Sequence, residues 1–179
     1  MRAPFLSIVL CLAAAALPLG AQQTEAGIQG SLVFPQQNLR AATGGRTGFD
    51  VGVHGDIDLG GGSEIRPRIS YTRVDGGSFS LTSLTSTTTV YGIGIGADYL
   101  RYLEERRRGL YGFGGVGLVW WYSQYRFDGS TRLTSPSAVI GVGNRFNSNW
   151  GMEFSLDVGQ FRSSLGGYTS FKAGVWYNF

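Results

Sequence analysis

The closing stretch Ser170-Phe171-Lys172-Ala173-Gly174-Val175-Trp176-Tyr177-Asn178-Phe179 alternates in character, with Phe171, Ala173, Val175, Tyr177 and Phe179 on one face. A period of two marks a strand, because successive side chains point to opposite sides of the backbone. Working outward, the same period recurs upstream. In residues 150–159, Trp150, Met152, Phe154, Leu156 and Val158 oppose Gly151, Glu153, Ser155, Asp157 and Gly159. Residues 49–59 set Phe49, Val51, Val53, Ile57 and Leu59 against Asp50, His54, Asp56 and Asp58. Residues 64–74 and 89–99 repeat the pattern, the first opposing Ile65, Ile69 and Tyr71 to Glu64, Arg66 and Arg68. Residues 27–34 and 137–144 are shorter and glycine-dotted. Residues 110–125 are long and aromatic, and their alternation slips at Gly114-Gly115, which predicts a bulge or tight bend. The total is eight strands, with a Ser/Thr-rich stretch at 78–89 that leaves room for an extended hairpin.

Composition agrees with an all-β chain. The 179 residues include 29 glycines, and only 15% are charged. Glycine at about twice its ordinary usage disfavours a helical bundle, and 13% aromatic content disfavours disorder. The length suits one domain. A net charge of +3 is too slight to imply a nucleic-acid partner. Residues 1–21 read as a signal peptide: Arg2 gives a positive start, an apolar core runs from Phe5 to Leu17, and Pro18 precedes a small residue at Ala21. The single cysteine, Cys11, lies in that core, so the exported domain, residues 22–179, has no disulfide.

Two solvents can explain the alternation. A soluble barrel or sandwich points its apolar face inward; a membrane barrel turns that face to lipid and fills its lumen with the polar one. Alternation alone does not choose. The domain allows about 20 residues for each strand and its connection, enough for strands of about 9–11 residues to cross a bilayer obliquely. The connections at 35–46, 75–88, 127–135 and 162–168 share one end and are mostly long; those at 60–63, 101–109 and 146–149 share the other. Tyr71, Tyr99, Tyr111, Trp150, Tyr177 and Phe179 fall near strand ends, where interfacial girdles sit.

The C-terminus chooses. Lys172, Gly174, Tyr177 and the terminal Phe179 match the polar, glycine, aromatic and terminal-aromatic places of the C-terminal assembly signal of bacterial outer-membrane barrels. Residues 22–179 resemble the small OmpA- and OmpX-like outer-membrane family. The resemblance implies an eight-stranded antiparallel up-and-down transmembrane barrel in the outer membrane. It also implies that the last strand is read by the barrel-assembly machinery, with periplasmic chaperones as transient partners and a monomer as the product. Gly52, Gly92, Gly94, Gly96, Gly159 and Gly174 would then make room in the lumen for Arg66, Arg68, His54 and Trp176.

Candidate chemistry is scarce, and no cofactor or metal is expected. His54 is the only histidine and has no nucleophile or ligand cluster beside it in sequence. Lipid A deacylases keep a His and a Ser close together near the C-terminus, whereas Ser163, Ser164 and Ser170 have no neighbouring His. Glu153 and Asp157 lie about 13 Å apart along a strand, too far for a retaining carboxylate pair. Arg106-Arg107-Arg108 reads as a solvated turn. Arg40, Arg46, Arg126, Arg132 and Arg162 stand at the long-loop end, where guanidinium groups suit lipopolysaccharide phosphates. The expected function is structural or surface-interactive, without catalysis. The alternatives are a small-solute or apolar-ligand barrel and, third, a lipid-modifying enzyme.

One constellation remains. Asp56, Asp58, Arg66 and Arg68 share the polar face of the second and third strands. A register pairing Asp58 with Arg66 and Asp56 with Arg68 closes a three-residue Gly61-Gly62-Ser63 loop and plugs the lumen with a charge cluster. Slipping two residues would oppose Asp58 to Glu64, like charges in a weakly screened place.

Overall fold

The computed structural model describes residues 24–81, 84–125, 130–160 and 167–179; the signal-peptide segment at 1–21 lies outside them. The strands are β1 (Thr24–Gln36), β2 (Gly48–Gly60), β3 (Ser63–Leu81), β4 (Leu84–Tyr102), β5 (Gly109–Tyr125), β6 (Ser130–Arg145), β7 (Trp150–Gln160) and β8 (Gly167–Asn178). Each pairs antiparallel with its chain neighbour, and β8 returns to β1, closing an eight-stranded barrel. Closure pairs every strand edge, which hydrocarbon would not tolerate open.

The faces settle which solvent the pattern serves. Val53, Phe154 and Val175 point outward, 54%, 52% and 54% exposed, while inward-facing Asp56 and Glu64 are fully buried. A water-soluble barrel has the opposite sense. The outer wall is apolar and the core is polar, the arrangement of a barrel in lipid.

Large inward side chains are matched to glycine across the strand pairs. Trp176 faces Gly151, Tyr168 faces Gly159, Tyr111 faces Gly143, Phe113 faces Gly141 and Trp121 faces Gly92. A Cβ on Gly151 would sit 2.3 Å from the Trp176 ring, and one on Gly159 would sit 2.2 Å from Tyr168. Eight strands leave just enough interior for side chains, so each ring needs an empty neighbour.

Several expectations are corrected. β5 has no bulge: its register runs unbroken past Gly114-Gly115 on both sides. The alternation is masked there because the lumen face is itself aromatic, with Tyr111, Phe113 and Trp121 buried. Tyr111 is therefore a lumen residue and not part of a girdle. The 75–88 connection is mostly strand, since β3 and β4 stay paired to Leu81 and Leu84 after one irregularity at Asp75/Ser78. β-Branched threonine favours strands without an apolar face to betray them. β6 likewise begins at Ser130, inside the expected 127–135 loop. The 35–46 connection holds a short helix, α1 (Gln37–Thr43), ended by Gly44 with φ of 65°. Left-handed backbone there costs glycine little.

The β2–β3 register differs too. Ile57 pairs Ile65, Asp58 pairs Glu64, and Gly60 pairs Ser63 after an irregularity, leaving Gly61-Gly62 as the turn. Both turn residues have positive φ (60° and 76°), as a tight two-residue hairpin requires. The pairing is thus the slipped one, with His54 opposite Arg68.

Candidate functional site

The lumen contains the charge-bearing residues, stacked in tiers from the short-turn mouth upward. In the first tier the β4–β5 turn folds Arg107 inward, its φ of 52° unusual for a residue with a Cβ. Arg107 reaches Glu64 (3.0 Å), Glu25 (3.3 Å) and Asp58 (3.7 Å). Arg145, from the end of β6, reaches the same Glu25 and Glu64. The Tyr102 hydroxyl also donates to Glu64. Two guanidinium groups thus neutralise the like-charge Asp58/Glu64 pair. The arginine run is not a purely solvated turn, because its middle member closes the mouth.

The second tier is the most densely bonded. Arg66 Nε donates to Asp56 Oδ1 at 2.6 Å, and its Nη1 bonds Glu153. Tyr111 donates to Glu153 (2.6 Å) and accepts from Trp176 Nε1 (2.9 Å). The Arg66 guanidinium lies 5.3 Å from the Trp176 ring centre. Asn178 Nδ2 donates to both Asp56 and Glu25. Its Oδ1 is therefore an acceptor, and His54 Nε2 donates to it at 2.9 Å. His54 is a buried structural group.

In the third tier Arg68 Nε donates to Asp98 at 2.7 Å, and Lys172 bridges Asp157 (2.7 Å) and Asp50 (3.3 Å). Thr72 donates to Asp50. Two polar cavities of about 20 and 30 Å³ flank this tier, each with room for about one water. Above it the lumen turns apolar. Leu39 of α1 packs on Val90, Trp121 and Tyr168, and the last two rings meet edge-on at 5.1 Å. Asn38 ties the helix to the Gly167 carbonyl.

The sequence-derived cluster is therefore divided. Asp56 meets Arg66, not Arg68; Arg68 meets Asp98; and Asp58 lies at the mouth beside Arg107. Glu25, Glu64, Arg107, Arg145 and the Asp50–Lys172–Asp157 bridge were missed. Most occupy inward places in the alternation, but their partners sit on distant strands.

The four C-terminal signal residues each have a structural place. Lys172 is the lumen bridge. A Cβ on Gly174 would lie 2.1 Å from Ser31 Oγ, so the β1–β8 seam closes only over glycine. Tyr177 packs between Trp150 (ring centres 4.9 Å apart, tilted) and Phe179 (5.5 Å, edge-on). The Phe179 backbone N–H donates to Ala26 O at 2.9 Å, extending that seam. Of the long-loop arginines, Arg40, Arg46 and Arg132 are exposed, and Arg126 and Arg162 lie outside the described residues.

No protein-family model matches the chain, and no curated protein matches it in sequence. Solved structures do match in shape. Neisserial surface protein A superposes with a TM-score of 0.57 at 12% identity, covering 89% of this chain and all of that one. The N-terminal β-barrel domain of Pseudomonas aeruginosa OprF gives 0.56 at 16% identity, covering 88% and 99%. Ail, the attachment invasion locus protein of Yersinia pestis, gives 0.59 at 12%, covering 87% and 97%. With its closed all-antiparallel ring, apolar exterior and charged core, the chain has the fold of the small eight-stranded outer-membrane β-barrels, OmpA- and OmpX-like in plan.

Proposed function

We propose that the protein is an integral outer-membrane barrel with a structural or surface-interaction role, a closed lumen and no catalytic activity. The observation that carries this reading is the packed interior: among the described residues, the cavities beside the third ionic tier measure about 20 and 30 Å³. Solutes need a continuous path, and interlocked ion pairs at this spacing oppose one. In this architecture the short turns face the periplasm and the longer connections face outward. Exposed Arg40, Arg46 and Arg132 at the outer end suit lipopolysaccharide phosphates. The solved structure of Ail with the heparin analogue sucrose octasulfate is an example of a barrel of this fold holding a polyanion.

Planar-bilayer recording tests the closed lumen. The expected result is no steady conductance from the purified monomer; steady ion flow would favour the transport reading. Assembly has its own test. Phe179→Ser should leave export intact but lower outer-membrane yield, with the chain accumulating or being degraded in the periplasm. Normal yield with normal heat-modifiable gel mobility would remove the C-terminal signal from the account.

A further inference from the structure

The short-turn mouth carries a cleft that the closed lumen does not use. It has a volume of about 320 Å³ and lies between the β4–β5 and β6–β7 turns. Arg106, Arg107, Arg108 and Arg145 line it against a single carboxylate, Glu25. Two of these arginines are committed inward, since Arg107 and Arg145 hold Glu25 and Glu64. The other two are not. Arg106 is exposed and has no ion-pair partner among the described residues. Arg108 gives only its Nε, to Phe146 O at 3.1 Å, which leaves the two Nη groups of its fork for another acceptor. Glu104 and Glu105 share the turn and are exposed, and neither pairs with Arg106 or Arg108.

The turns that carry Arg108 and its acceptor also carry exposed apolar side chains. Leu103, Leu110 and Phe146 are 78%, 56% and 50% exposed. Leu103 N–H donates to Leu110 O, and Arg108 Nε donates to Phe146 O. Leu110 lies on the outward, lipid-facing side of β5. The surface therefore joins unpaired guanidinium groups to a hydrocarbon collar at the edge of the bilayer. A phosphodiester with acyl chains matches both halves; a soluble anion matches only one.

We propose that this cleft is a headgroup site for an anionic phospholipid of the leaflet at the short-turn end. Arg106 and Arg108 bind the phosphate, as planar guanidinium forks do, and Leu103, Leu110 and Phe146 receive the chains. The conformation of Arg107 makes the site: by turning its own side chain into the lumen, it leaves its two neighbours at the rim. The proposal rests on the membrane reading above.

The test uses the full barrel in lipid vesicles, with electron spin resonance comparing spin-labelled phosphatidylglycerol and phosphatidylcholine at the protein surface. Wild type should prefer the anionic lipid by about fivefold, a factor of about two from each of the two guanidinium groups, somewhat below the ceiling for a fully engaged surface arginine. Arg106→Gln, which removes no contact within the protein, should cut that preference by about half, and R106Q/R108Q should bring it near unity. Arg73→Gln, at the opposite end, should leave it unchanged. Equal preference in wild type for the two lipids overturns the site. So does the same loss in Arg73→Gln, which would mean diffuse charge, or displacement by millimolar inorganic phosphate, which would mean a soluble-anion pocket. A barrel that fails to enter vesicles, seen as absent heat-modifiable mobility, sinks the membrane reading instead and the site with it.

Discussion

The two ends of the lumen are packed by opposite means. Near the short turns, Asp56, Glu153 and Arg66 are knit by charge-assisted bonds, with Trp176 and Tyr111 packed among them. Toward the far end Leu39, Val90, Trp121 and Tyr168 pack as a hydrocarbon cluster with a ring contact. The difference lies in what each can specify. A buried ion pair needs one particular partner, so it discriminates between registers. An apolar cap needs only volume, so it seals without dictating alignment. A buried pair adds little net stability, but breaking one leaves an uncompensated charge. Truncating the cap costs only packing.

The largest expected effect follows from that asymmetry. Asp56→Ala should destabilise the barrel by about 3–5 kcal/mol in urea titrations from lipid vesicles. Adding Arg66→Met should recover much of the loss, whereas Asp56→Ala with Arg68→Ala should be close to additive. Coupling between Asp56 and Arg68 in place of Arg66 would overturn the register described here. Next comes the contrast of walls. Arg at Val53 or Phe154 should cost about 2–4 kcal/mol near the bilayer midplane, and Arg at Ser155, beside the lumen charges, clearly less. Equal penalties at the two faces would argue for a soluble barrel.

Leu39→Ala probes the apolar mouth and should cost about 2 kcal/mol, the low end for a buried leucine, because the mouth can collapse around the gap. A loss matching that of Asp56→Ala would erase the distinction between the two ends. The smallest effect belongs to Asp58→Asn. This carboxylate is partly exposed, with Arg107 at 3.7 Å, so the change should stay below about 1 kcal/mol. A larger loss would make Asp58 an energetic equal of Glu25 and Glu64 in the mouth tier.

Much of the fold was legible because the side-chain period of a strand is two and each wall has one solvent. That rule put Val53 and Asp56 on opposite faces, and the C-terminal signal then turned the Val53 face outward. It failed where both faces look alike. In β5 the lumen face is aromatic, so both faces read alike; the Ser/Thr-rich stretch at 78–89 has no apolar alternation in sequence to mark it as strand. The glycine opposite each inward ring, Gly151 for Trp176 and Gly159 for Tyr168, was visible in sequence only as an excess of glycine. Its purpose depends on register.

The sequence by itself determined the number of strands, the sidedness of most of them and the aromatic closing strand, because these rest on local periodicity. The tertiary structure alone decided who pairs with whom in the lumen. Asp58 opposite Glu64 looked forbidden when only that hairpin was weighed. Arg107, 43 residues from Glu64, and Arg145, 81 residues away, neutralise it once the barrel closes. The energy of a buried charge depends on every group within a few ångströms, and in a closed barrel those groups come from the whole length of the chain.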